Sequence, residues 1–170
     1  IRDPAAVIES WFKRGWGNRI GNDPLAGWAT FEHEKGPTPW WALEWADEYH
    51  SLSEMDRCVR NIFTLCEMAK TEFNLLSTQQ KNQIRFIRFE TLVSKPNVAV
   101  TQLENFLGRK ATPAMTGILG RERMPRPLDE KKISETRQRI TDATTAACKS
   151  KLESLSKDYD TFWSALSDAK

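Results

Sequence analysis

Apolar positions recur at helical spacing along most of this chain. Val7, Ile8, Trp11 and Phe12 sit at i, i+1, i+4 and i+5 and predict a helix over 4–14 with one apolar face. Asp3 can cap the free N–H groups of its first turn, and Pro4 suits a first helical position, where no N–H is needed. Gly15 stops it. Across 15–39 the periodicity lapses among Gly15, Gly17, Gly21, Pro24, Gly27, Gly36, Pro37 and Pro39, which predicts a long loop. Trp41, Leu43, Trp45, Ala46 and Tyr49 then predict a helix over 38–50. Cys58, Ile62, Leu65, Cys66, Ala69 and Phe73 predict another over 53–75.

The pattern changes at Gln83-Ile84-Arg85-Phe86-Ile87-Arg88-Phe89, a short β-branched and aromatic run that reads as a strand. Pro96 opens the next helix, with Val100, Leu103, Phe106 and Leu107 assigned inward and Gly108 as a left-handed cap. A short helical piece over 113–119 and a basic loop over 120–127 follow. A long polar helix over 129–155 and a last helix over 159–166 complete the chain. Only one strong strand and a stub ending at Ile1 are visible, yet a strand needs partners to pair its backbone. The expectation is the helix-rich portion of an α/β domain, completed by an upstream segment or a second chain.

Composition narrows the function classes. The 170 residues suit one domain. A net charge of +2 gives no global signal for nucleic acid. No apolar stretch is long enough to span a bilayer and no signal peptide is visible, so neither nucleic acid nor membrane is expected as a partner. Cys58, Cys66 and Cys148 fit neither a disulfide framework nor a zinc pattern. Free thiols in a reducing compartment, the cytoplasm, are expected. His33 and His50 are too far apart in sequence to suggest a metal site, and Lys131 and Lys132 read as a solvated helix face. Of the seven Trp residues six lie between Trp11 and Trp45, which predicts either a Trp-rich core or a ring-lined pocket.

The candidate chemistry begins at Arg2. It lies at a strand end just before a helix, where open α/β sheets bind ligands. An Arg there can fork onto a phosphate, and Ser10 can add a hydroxyl donor. The plain alternative pairs Arg2 with a carboxylate. Glu90 is assigned a structural role, bonding backbone or an Arg. Arg121, Arg123 and Arg126 make the 120–127 loop basic.

Arg2-Asp3-Pro4 with Ser10 eight residues after the Arg resembles the 3′-phosphate element of sulfotransferases that use 3′-phosphoadenosine 5′-phosphosulfate (PAPS). Phe89-Glu90-Thr91-Leu92, then Pro96 and Phe106-Leu107-Gly108, resembles a second block of that family, as does the basic loop. Phe89 stands where Tyr is usual and Thr91 where an acid is usual. The resemblance covers nearly the whole chain and implies a P-loop nucleotide-kinase-like α/β fold, with 1–170 as the C-terminal part of a single sulfotransferase domain, of bacterial type.

The resemblance further implies transfer of a sulfuryl group from PAPS to a hydroxyl or amine acceptor, a small molecule or carbohydrate, without a metal. Cofactor-binding roles fall to Arg2, Ser10, Phe89 and one of Arg121, Arg123 and Arg126. The family's phosphosulfate loop and catalytic base lie upstream of the Arg-Asp-Pro element, and no catalytic residue is assigned here. The Trp-rich loop is the candidate acceptor wall. Two other readings keep the architecture: a non-catalytic nucleotide-binding or interaction module, and a P-loop kinase relative.

Overall fold

A computed structural model describes residues 1–19 and 28–168. Its first helix, α1 (Pro4–Lys13), starts as its sequence dictates: the Asp3 carboxylate accepts the Ala6 N–H at 3.1 Å, with Pro4 in the first turn. Ala5, Ile8 and Trp11 are its buried side. They pack against α4 (Glu54–Leu75), capped by Ser53, and against α9 (Glu130–Ala143) and α10 (Ala146–Asp158). Met55, Cys58, Val59 and Ile62 of α4, Ile140 of α9, and Cys148, Leu152 and Leu155 of α10 close this core. Between α1 and α4 come α2 (Trp16–Arg19), β1 (Thr30–His33), β2 (Gly36–Pro39), a 3₁₀ turn (Trp40–Trp45) and α3 (Ala46–Tyr49). Gly17 lies so close to α4 that a Cβ there would meet the Glu54 carbonyl oxygen at 2.6 Å.

Several expectations are corrected. The 15–39 loop contains α2 and an antiparallel hairpin in which Thr30 pairs with Pro39 and His33 with Gly36; Gly21, Pro24 and Gly27 lie outside the described residues. The 38–50 helix is a strand end, a 3₁₀ turn and the short α3. The six Trp residues from Trp11 to Trp45 mostly build core: Trp11, Trp16, Trp28 and Trp41 form a chain of edge and tilted contacts with centroids 5.3–5.8 Å apart, while Trp40 is half exposed.

The molecule is mostly helical with a small two-stranded sheet. The 83–89 run belongs to no assigned sheet among the described residues. After α5 (Thr78–Lys81) residues 84–88 carry no assigned element, Arg88 is extended, and Phe89 already begins α6 (Phe89–Ser94). The run does pair with the chain start. The Ile1 amino group donates to the Ile87 carbonyl at 2.8 Å, and Phe89 N–H donates to the Ile1 carbonyl at 2.6 Å, the pattern of a single parallel rung.

From α6 the chain enters α7 (Pro96–Leu107), ended by Gly108 at φ 63° as its sequence requires. The inward assignment of Phe106 and Leu107 does not hold: they are 40% and 63% exposed, and Ala99 is buried instead. The short α8 (Ala114–Arg121) follows. The 129–155 helix is two helices. Thr144 leaves helical backbone at ψ 152°, and the Thr145 N–H and hydroxyl are both taken by the Asp56 carboxylate, at 3.0 and 3.2 Å. After α10 a π turn (Tyr159–Trp163) leads into α11 (Ser164–Asp168).

Asp56 is buried, and burial alone would raise its pKa. The Thr145 N–H, the Ser53 hydroxyl and further donors prevail and hold it below the usual carboxylate value. A carboxylate depressed on folding stabilises above its unfolded pKa, and that contribution disappears as pH falls through the folded one. Asp56→Ala is expected to cost about 2 kcal/mol at neutral pH in urea unfolding. The variant is also expected to lack part of the wild-type loss of stability below about pH 4.

Candidate functional site

The rung between Ile1 and the 87–89 segment brings two strand ends side by side, and the neighbouring side chains form the site. A cavity of about 270 Å³ opens there between the start of α1, the corner at Phe89, α6, the 126–129 segment and the first turns of α9. Arg2, Phe89 and Arg126 border it together. The Arg2 guanidinium lies over the Phe89 ring, 4.9 Å from its centroid.

Val93, Pro127, Leu128 and Ile133 form an apolar wall. The Arg126 N–H donates to the Val93 carbonyl at 3.0 Å and ties the basic loop to α6. In that loop Met124–Pro125 is a cis peptide and Arg123 takes φ 54°.

Four carboxylates border the same cavity, and each is already engaged. Asp3, 4% exposed, caps α1 and forms an ion pair with Arg137 of α9. Glu9 pairs with Lys13 at 3.0 Å and with Arg139. Burial opposes ionisation of Glu9, yet Lys13 and Arg139 hold its carboxyl below the ordinary value. Glu90 accepts the Asp3 N–H at 2.9 Å and the Tyr159 hydroxyl, which in turn accepts from Arg88 Nε at 3.1 Å. Asp129 caps α9 by accepting the Lys132 N–H at 3.0 Å. The cations Arg2, Arg126 and Lys132 also border the cavity, and among the described residues none of them makes an ion pair.

Larger clefts exist but lack this arrangement. One of about 730 Å³ runs between α4, the 81–86 segment, α7 and α11; its Lys81 and Arg85 donate to the carbonyls of Asn74 and Ser167. The β-hairpin places His33 beside Asp47 at 3.2 Å and stacked on His50, with Glu34 nearby. His33 Nδ1 accepts the Lys35 N–H at 3.3 Å, and its Nε2 faces Asp47.

The other sequence candidates fall outside the cavity. Ser10, one turn beyond Ala6, does not line it; Ala6 and Glu9 do. Arg121 ends α8 and is exposed, as is Arg123, and neither borders the cavity. No Trp lines it. Sequence reasoning missed Lys132, Ile133 and Thr136. The signal was there as a stripe, since Asp129, Lys132, Ile133 and Thr136 follow i, i+3, i+4, i+7 along one helix face.

Burial, then the Glu90 bond, push the Tyr159 phenol well above its ordinary range. Such a group contributes fully below its unfolded pKa, and stability is lost as pH rises from about 10 toward the folded value. Tyr159→Phe is expected to cost about 1–2 kcal/mol at pH 7 by urea unfolding, because Glu90 loses a donor. It is also expected to flatten part of the alkaline decline; the buried Tyr49, raised to about 12, supplies the rest of the phenol contribution.

No protein-family model matches the chain, and no curated protein or solved structure matches it either.

Proposed function

We propose that the cavity at Arg2 holds the adenosine 3′-phosphate end of PAPS and that the protein is a sulfotransferase acting on a hydroxyl or amine acceptor. One observation carries this reading: Arg2, Arg126 and Lys132 border one cavity and, among the described residues, make no ion pairs, while every carboxylate lining it is engaged elsewhere. A site with unneutralised cations and satisfied acids attracts an anion. Guanidinium forks suit phosphate, and the apolar wall of Val93, Leu128 and Ile133 suits the flat face of a base.

At about 270 Å³ the cavity sits at the small end of ligand sites, roughly 300–1,000 Å³, and takes one end of a nucleotide. Arg2 and Arg126 would hold the 3′-phosphate, with Lys132 supplying a third charge. This phosphate is what distinguishes PAPS from ATP. PAPS supplies the sulfuryl group, and the protein's part is to position the nucleotide and offset its charge.

The P-loop nucleotide-kinase-like architecture belongs to the same proposal; the parallel rung between Ile1 and Phe89 supports it. So does a cytoplasmic location, supported by Cys58, Cys66 and Cys148 as free thiols. Among the described residues no helix is long and apolar enough to cross a membrane.

Calorimetric titration of adenosine 3′,5′-bisphosphate and AMP is the direct test. The bisphosphate is expected to bind more tightly, and equal affinities would overturn the 3′-phosphate assignment. Arg2→Ala is expected to weaken the bisphosphate by about 1.5 kcal/mol or more, the scale of a lost charge-assisted bond. An unchanged affinity would make Arg2 structural.

A further inference from the structure

Phe89 lies where the resemblance places a ring beside the adenine. The structure puts something else on that ring. Phe89 N–H donates to the Ile1 carbonyl, so Phe89 and Arg2 are neighbours across the rung, and the Arg2 guanidinium lies 4.9 Å from the Phe89 centroid. Among the described residues no carboxylate pairs with it. Asp3 holds Arg137, and Glu90 holds the Tyr159 hydroxyl and the Asp3 N–H.

Arg2 is exposed, and a long exposed side chain in water samples many rotamers. A ring in contact with the guanidinium narrows that choice without neutralising the charge. Among the described residues no hydrogen bond or ion pair takes the Arg2 N–H donors, so they remain for an incoming oxyanion. A carboxylate in the ring's place would occupy those donors.

We infer that Phe89 is a positioning residue: its ring holds the Arg2 guanidinium ready for a phosphate, and it acts on the phosphate through Arg2 rather than on the adenine. This rests on the proposed 3′-phosphate site and assigns a role within it. It also accounts for a ring without a hydroxyl at position 89, since a cation over a ring face needs no hydroxyl.

Three substitutions, titrated with adenosine 3′,5′-bisphosphate and with AMP, test it, and thermal unfolding checks that each variant is folded. Phe89→Leu is expected to weaken the bisphosphate by about fivefold, the size of a modest cation–π contact, and to leave AMP unchanged. Phe89→Tyr keeps the ring and is expected to restore bisphosphate affinity. In an Arg2→Ala background Phe89→Leu is expected to have no further effect, because nothing remains for the ring to position. Equal weakening of both ligands by Phe89→Leu would overturn the inference and make the ring an adenine contact. Loss with Arg2→Ala but none with Phe89→Leu would overturn it while sparing the phosphate site. No loss with Arg2→Ala would remove the phosphate site and this role together.

Discussion

The site depends on the Glu90 carboxylate. It accepts the N–H of Asp3 from one strand end and the hydroxyl of Tyr159 from the π turn after α10. Asp3, fixed by that bond, turns its own carboxylate to the first turn of α1 and to Arg137 of α9. A short chain of hydrogen bonds to charged groups thus ties together the chain start, the corner at Arg88–Glu90, α9 and the C-terminal helices. Such bonds contribute more than neutral ones, roughly 1.5–3 kcal/mol against about 1. Removing one member would leave a half-buried charge without its partner, which is why the arrangement holds as a unit.

The same bonds give two adjacent residues opposite fates. Successive side chains of an extended backbone point to opposite sides. Asp3 is turned inward and satisfied by Ala6 and Arg137, whereas Arg2 is exposed at the cavity over the Phe89 ring. The bonds of Glu90 to the Tyr159 hydroxyl and the Asp3 N–H occupy its oxygens, and among the described residues it makes no ion pair with Arg2.

Local signals were legible in the sequence because their partners lie within a turn. Asp3 before Pro4 and Gly108 after α7 cap as expected. Glu90 was read as structural, and it bonds the Asp3 backbone. The break at Thr144 was not legible. It is made by Asp56, 89 residues away, and no window along 129–155 contains that information. Phe106 and Leu107 followed the helical period but are exposed, since period alone does not say whether another element covers that face. In the site, Arg2, Phe89 and Arg126 were named from motif and loop charge, and they come together at the cavity. Lys132 was taken for solvated surface. Its place depends on α9 crossing α1, a contact anchored by the Arg137–Asp3 pair across 134 residues.

The segments that carry the cavity's three cations are anchored. Surface lysines and arginines bind anions weakly, because ordering a long side chain costs as much as a screened contact returns. Here Arg2 rests on a ring, the Arg126 backbone is tied to Val93, and Lys132 sits in the first turn of a capped 14-residue helix. The apolar wall lowers the local dielectric, so each contact counts for more than it would in water. Donors fixed in advance leave less to be ordered on binding, and that saving is what raises affinity at a site of this size. A cluster of free cations alone would argue only for charge. Cations on anchored segments beside an apolar wall are what support the proposed ligand, an oxyanion with an apolar face beside it.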